Sequence, residues 1–128
     1  MPGTTVQISP ALPFDSITSG ERIRILGKIP EEALGFRVKK VTFYAALRAS
    51  LSPTDRWTVQ LGLLNKYGAF KVKWQRAFTS GLPAGLLPMT LDNPVVYNPG
   101  DVVAGRLFST GDPDGLADPQ IIIEIEEP

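Results

Sequence analysis

Residues 41–49 have the sequence VTFYAALRA, in which apolar side chains occupy every second position from Val41 to Ala49. Successive side chains of a β-strand point to opposite faces, so a period of two predicts a strand with one buried face. The same alternation recurs at residues 21–25, 57–63, 70–74 and 121–125.

The alternation also predicts which side chains are buried. In residues 21–25 it places Ile23 and Ile25 on the apolar face, and in residues 70–74 it places Phe70, Val72 and Trp74 there. Trp57 and Trp74 are in phase with the apolar faces of their strands, which predicts core packing for both. The three tyrosines are out of phase or in loops and are the better candidates for exposed contacts; they are Tyr44, Tyr67 and Tyr97.

Turn-forming residues separate the alternating stretches. Glycine, proline, aspartate, asparagine and serine cluster at residues 18–20, 52–55, 67–68, 98–101 and 111–115, and such clusters mark turns. A single helix-like turn, with proline at its start and glycine at its end, is predicted at residues 30–35. Seven or eight short strands with these turns predict an all-β, antiparallel β-sandwich of jelly-roll type, although a small closed barrel fits the same pattern.

The chain has 128 residues, which is room for one domain. Residues 1–20 are rich in proline and are predicted to form an extended arm with at most one short edge strand. Residues 21–128 are predicted to form the β-sandwich domain. Proline-rich loops and few thermolabile side chains are typical of thermostable proteins.

Residues 81–89 have the sequence GLPAGLLPM, which is apolar but too rich in proline and glycine to predict a strand or a helix. An apolar loop of this length must be covered. Either it folds back over one end of the sandwich or it contacts a partner chain, and the sequence leaves both interpretations open.

The chain contains no cysteine and no histidine. This excludes disulfides, thiolate metal sites and thiol nucleophiles, and it removes the commonest general base. Neither a Ser-x-x-Lys motif nor a glycine-rich phosphate-binding motif is present. We therefore expect no catalytic residues and no cofactor. A glycosidase needs only two facing carboxylates, so that alternative stays open.

Acidic side chains occur at two places where a metal or carboxylate site is conceivable. Residues 111–118 contain three aspartates and are suited to calcium, but a bidentate glutamate is missing, so a solvated turn without metal is predicted. Asp92 and Asp101 flank residues 95–97 and fit either a carboxylate pair or two separate turn roles.

Charge is distributed unevenly along the chain. Residues 21–76 contain twelve Lys or Arg and four acids, whereas residues 77–128 contain one Arg and eight acids. Either basic and acidic strands pair across a sheet, or the protein has a positive and a negative face that stack on other copies or on a shell. Because the basic residues are scattered, nucleic-acid binding is not expected. No run of eighteen apolar residues occurs, and neither a signal peptide nor membrane binding is expected.

The last third of the chain resembles small β-sandwich modules of tailed-phage virion proteins. The resemblance lies in PVVYNPGDVV at residues 94–103, RLFSTGDP at residues 106–113 and LADPQIIIEI at residues 116–125. In those modules a Pro-Gly-Asp turn opens a strand, a glycine-containing loop follows, and a final strand closes the sheet. Residues 29–43 are similar to an earlier part of the same plan, so the resemblance covers about half of the chain.

The resemblance implies a non-enzymatic virion protein, most simply a decoration or cement protein that stabilises a phage head through protein–protein contacts. It implies assembly in the host cytoplasm and a place on the capsid surface. The expected partners are the major capsid protein or another virion protein and other copies of the chain, since the N-terminal arm is predicted to reach onto a neighbouring copy in a trimer. The alternative is a carbohydrate-binding or receptor-binding module of a tail fibre or baseplate. The candidate contact residues are Val6, Ile8, Leu12, Phe14, Leu82, Leu86, Leu87, Met89 and Tyr97.

Overall fold

The alternating stretches form strands in the computed structural model, which describes residues 5–8, 14–31 and 35–126. None of these residues forms a helix that could cross a membrane. Residues 32–34, within the predicted helical turn, lie outside the described residues. The strands are β1 (Thr5–Ile8), β2 (Glu21–Lys28), β3 (Phe36–Ala45), β4 (Arg56–Leu64), β5 (Phe70–Phe78), β6 (Gly85–Met89), β7 (Val96–Tyr97), β8 (Val102–Thr110) and β9 (Gln120–Glu126).

The strands form two antiparallel sheets. One sheet has the order β1-β9-β3-β6, with the short β7 also paired to β3, and the other has the order β2-β8-β4-β5. A jelly roll can be described as one long antiparallel hairpin that is rolled up into two sheets. The pairs of such a hairpin are present here: β1·β9, β2·β8, β3·β6 and β4·β5. The prediction of an all-β sandwich is confirmed.

The core lies between the two sheets. Phe43 and Ile123 of the five-stranded sheet, and Trp57 and Leu61 of the four-stranded sheet, are fully buried there. Trp74 is buried as well, so the prediction of core packing is confirmed for both tryptophans. The alternation in β3, β4 and β9 therefore corresponds to real inner and outer faces. The exception is Leu47, which was predicted on the buried face but lies beyond the end of β3 and is 66% exposed.

A bulge in β5 changes the predicted phase of that strand. Leu61 pairs with Trp74 but Gly62 pairs with Val72, which leaves one extra residue between the two partners on β5. A Cβ atom on Gly62 would lie 2.0 Å from the carbonyl oxygen of Lys71, so only glycine fits beside the bulge. Trp74 points inward, while Val72 is 46% exposed. The prediction that Val72 and Phe70 share a buried face with Trp74 is wrong.

Strand β2 also contains a bulge, and the residue of this strand that enters the core is not one of those predicted. The register shifts between Ile25 and Gly27, and the intervening Leu26 is buried in the core. Ile25 is 54% exposed. The predicted burial of Ile23 and Ile25 on the inner face is corrected, since both face away from the core.

The described parts of residues 1–20 pack against the sandwich. In β1, Val6 pairs with Ile125 and Ile8 with Ile123, so this segment is an edge strand. Phe14 and Ile17 are buried in the core, and the Phe14 amide donates a hydrogen bond to the Pro119 carbonyl (3.1 Å). Phe14 and Ile17 therefore belong to the core rather than to a separate arm. Residues 1–4 and 9–13, including Leu12, lie outside the described residues.

The apolar segment at residues 81–89 contains a strand, which corrects the prediction that it is too rich in proline and glycine for one. Strand β6 carries Pro88 and, among the described strands, pairs with β3 alone, which makes it an edge strand, where a residue without an amide hydrogen is tolerated. Leu82 forms a bridge with Ala49 and is buried, as is Met89. The segment folds back over the core.

Candidate interaction surface

Four of the predicted contact residues are buried within the chain itself: Phe14, Leu82, Met89 and Tyr97. The core of a small sandwich requires large apolar side chains from its loops as well as from its strands, and these four supply them. The prediction that these four side chains contact a partner is therefore corrected. For Tyr97, the expectation of an exposed side chain is corrected as well.

Tyr97 has a defined role inside the core. Its hydroxyl donates a hydrogen bond to the Gly62 carbonyl (3.1 Å) and so joins the two sheets. Burial, and to a lesser degree the negative charge of Asp101, raise the pKa of the Tyr97 hydroxyl well above its usual value. The side chain is therefore held in its neutral form.

Two of the predicted contact residues have described side chains that are not fully buried. Leu86 is 64% exposed, and Leu87 is half-buried against the core. Val6 and Ile8 are in β1, where only the backbone is described. Leu86 lies opposite Tyr44 on the outer face of the five-stranded sheet.

The tyrosines do not form a row of exposed rings. Tyr67 is 82% exposed at the turn between β4 and β5, at one end of the four-stranded sheet. Tyr44 is half-buried in β3, on the other sheet, and Tyr97 is in the core. A row of aromatic side chains is what the carbohydrate-binding alternative requires.

The turn carboxylates bind backbone amides. Asp114 accepts a hydrogen bond from the Ser50 amide (2.9 Å), and Asp55 accepts one from the Asp112 amide (2.8 Å). Asp101 accepts one from the Asn98 amide (2.8 Å), whereas Asp92 accepts one from the Trp74 indole (3.0 Å). Among the described residues, no group of three or more acidic side chains has a geometry that could hold a metal ion. Asp92 and Asp101 thus have separate structural partners.

Basic and acidic side chains pair across both sheets. Arg37 of β3 forms an ion pair with Glu126 of β9, and Arg106 of β8 forms one with Glu21 of β2. These pairs agree with the first interpretation of the charge distribution, in which basic and acidic strands pair across a sheet. They account for part of the difference in charge between residues 21–76 and residues 77–128.

The outer face of the four-stranded sheet carries a row of hydrogen-bonded polar side chains. Arg106 donates to Gln60 (3.0 Å) and to Glu21, and Gln60 donates to Gln75 (2.8 Å). The row, which we call the polar row, crosses β2, β8, β4 and β5. Gln60 is only 5% exposed although it faces away from the core, so its neighbours hold it in place and satisfy its amide.

An apolar patch lies beside the polar row on the same face. Its centre is Ala104, which pairs with Ile25 of β2 and with Gly62 of β4. Ala104 is fully buried but does not belong to the core between the sheets, because larger side chains on the outside cover it. We call this set the outer patch: Ile25, Leu64, Phe70, Val72, Val102 and Ala104.

The outer patch is not apparent from the sequence because it depends on a bulge in β5 and on the phase of β2. Without the bulge in β5, Phe70 and Val72 would face inward with Trp74, and in β2 it is Leu26, not its neighbour Ile25, that enters the core. A signal was present in the sequence, since Gly27 and Gly62 interrupt otherwise regular strands and glycine inside a strand often marks a bulge.

No protein-family model and no curated protein matches the sequence. Among solved structures, the chain is similar to VP2 in a subviral particle of infectious bursal disease virus. The TM-score is 0.46 at 13% identity, over 97% of this chain and 32% of that chain. It is also similar to structures of the Gx strain of the virus (TM-score 0.41, 14% identity, 96% and 37% covered) and of its T13 viral particle (TM-score 0.41, 13% identity, 99% and 36% covered). The chain spans about a third of the length of these chains.

Proposed function

We propose that the protein is a non-enzymatic structural component of a virus particle, and more narrowly a protein that decorates the head of a tailed phage and stabilises the shell through protein–protein contacts. The observation that carries the proposal is the outer face of the four-stranded sheet, where an apolar patch lies exposed beside a fully hydrogen-bonded polar row.

Exposed apolar side chains in a contiguous group are typical of protein–protein interfaces. Ile25 and Val72 are about half exposed, and Leu64, Phe70 and Val102 are partly covered by one another. Burial of this surface against another protein removes apolar area from water, which contributes about 25 cal/mol per Å².

The polar row makes the same face rigid before anything binds. Among described residues that are not exposed, no side-chain nitrogen or oxygen is both buried and without a hydrogen-bond partner. A surface whose side chains are already ordered loses little conformational entropy on binding. This suits a protein whose role is to hold neighbouring subunits in position.

The fold is compatible with the proposed role. Jelly rolls of this strand order occur in viral capsid proteins, and also in lectins and cupins. The proposed location is the capsid surface, and the proposed partners are the major capsid protein and other copies of the chain. The trimer predicted from the N-terminal arm stays a prediction, since residues 9–13 lie outside the described residues. No observation specifically favours the tail-fibre alternative.

Immunogold electron microscopy of particles purified from the producing host tests the proposal. We expect antibody against this chain to label particle heads. Labelling confined to tails would overturn the narrower proposal in favour of the tail alternative. Particles that lack the chain altogether would overturn the virion role.

A further inference from the structure

We infer that the outer patch is a self-association surface, on which two copies of the protein pack their four-stranded sheets face to face about a two-fold axis that passes near Ile25 and crosses the strands. The inference concerns the isolated protein and goes beyond the proposed function, because a dimer of this kind forms in solution without a virus particle.

The face is large enough for a dimer. It consists of four strands of eight or nine residues, which at about 4.8 Å between strands and about 3.3 Å per residue present roughly 500 Å². Two such faces bury about 1,000 Å² in total, the lower limit for a specific interface. Flat sheets pack about 10 Å apart with nearly aligned strands, as the two sheets within a sandwich do.

The charges on β2 select the orientation of the two copies. The outward-facing residues of this strand begin with Glu21 and end with Lys28, and Ile25 lies near the middle. When two copies of β2 lie antiparallel across the axis, Glu21 of each copy lies over Lys28 of the other. A two-fold axis parallel to the strands would instead lay β2 of one copy over β5 of the other and lose this pairing of opposite charges.

Both charges already have partners within the chain. Glu21 pairs with Arg106, and Lys28 lies 3.7 Å from Glu31. An antiparallel dimer therefore extends two existing ion pairs into networks rather than burying an isolated charge. The formal net charge of zero leaves no long-range repulsion between copies.

The outer face of the five-stranded sheet is a matched control. It carries the Arg37–Glu126 ion pair, with Lys40 opposite Glu124 in the next strand. Leu86 on this sheet is more exposed than Ile25 or Val72. If the copies associated only through nonspecific contact of exposed apolar side chains, a charge introduced at Leu86 would therefore weaken association at least as much as one at Ile25 or Val72.

Sedimentation equilibrium of the full chain tests the inference. We expect wild-type protein to sediment at twice the chain mass of 13.9 kDa, and Ile25→Glu and Val72→Glu to raise the dimer dissociation constant about tenfold or more. Leu86→Glu should leave it unchanged, and circular dichroism should show the same β content in all variants. Because two patch variants are used, unfolding of one leaves the other decisive.

A wild-type protein that stays monomeric at about millimolar concentration, equivalent to association weaker than about 4 kcal/mol, would overturn the inference. So would a dissociation constant that changes equally with Leu86→Glu, or that changes with neither patch variant.

The orientation is tested by cross-linking, since the chain has no cysteine of its own. We expect a short bismaleimide, which reaches across the roughly 10 Å between packed sheets, to link a mixture of the variants Glu21→Cys and Lys28→Cys at least several-fold faster than either variant alone. Ile25→Cys should cross-link with itself, whereas Leu86→Cys should not. Cross-linking of the mixture that is no faster than that of the single Glu21→Cys or Lys28→Cys samples would overturn the antiparallel dimer.

Discussion

At the scale of single residues, Gly62 determines which side chains of β5 reach the outside. Any larger residue would place its Cβ 2.0 Å from the Lys71 carbonyl oxygen, so the bulge that turns Phe70 and Val72 outward depends on this glycine. The carbonyl of the same residue accepts the hydrogen bond of Tyr97. One position thus shapes the outer patch and also joins the two sheets.

Tyr97 gives a testable dependence of stability on pH. The unfolded chain loses the tyrosine proton near pH 10, whereas burial keeps Tyr97 protonated in the folded protein. The stabilising effect is therefore complete below about pH 10 and decreases as the pH rises above it, by up to about 1.4 kcal/mol per pH unit.

Urea denaturation of wild type and Tyr97→Phe at about pH 8 and about pH 11 measures the effect. At the lower pH the variant should be about 1 kcal/mol less stable, because the Gly62 carbonyl loses a buried donor. At the higher pH the difference should shrink or reverse. If the free energy of unfolding changed equally with pH in both proteins, the Tyr97 hydroxyl would not be the group responsible.

At the scale of elements, the position of each strand in its sheet sets its exposure to solvent. Within the part of the chain that the structure describes, strands β3, β4, β8 and β9 have neighbours on both sides, whereas β2, β5 and β6 have one neighbour. Edge strands expose backbone groups to additional pairing. In β6, Pro88 limits that pairing, and in β5, basic side chains at 71, 73 and 76 do so.

Hydrogen exchange should reflect this order. We expect backbone amides of β4 and β8 to exchange slowest, because these strands are central in their sheet and open only when the whole protein unfolds. Amides of the edge strands β5 and β6 that lack a hydrogen-bond partner should exchange faster. Mass spectrometry of peptides after exchange measures this. Equal protection of β6 and β4 would indicate that something covers the β6 edge.

At the scale of the whole molecule, the two sheets share one core that includes the segment before β2. Phe14 lies over Gly105, where an added Cβ would be 3.4 Å from its ring, and Ile17 bridges to Leu116. The N-terminal segment therefore contributes to the stability of the entire sandwich.

Phe14→Ala should lower the free energy of unfolding by about 3–5 kcal/mol, because it leaves a cavity beside the centre of β8. Asp15→Ala is the control, since the Asp15 side chain is exposed and its ion pairs with Arg22 and Arg24 contribute less than about 1 kcal/mol. Urea unfolding should remain a single transition in both variants. An equal, small effect of the two changes would show that residues before 20 behave as a separate arm.

Local reasoning predicted the strands whose alternation is uninterrupted. In β3, β4 and β9 the predicted inner faces are the observed ones, and Trp57 and Trp74 are in the core as expected. The sequence left open whether the apolar segment at residues 81–89 folds back or contacts a partner, and only the structure shows that Leu82 and Met89 complete the core.

The sequence by itself determined the class of the fold, because a period of two and regular turns leave antiparallel strands with one buried face as the stable arrangement. It also determined the absence of cysteine and histidine chemistry. Only the tertiary structure decided which apolar side chains face outward, since a bulge shifts the phase of a strand by one residue and depends on the register with its neighbour. The register joins residues that can be far apart in the sequence, and it places the side chains of the outer patch on the outside.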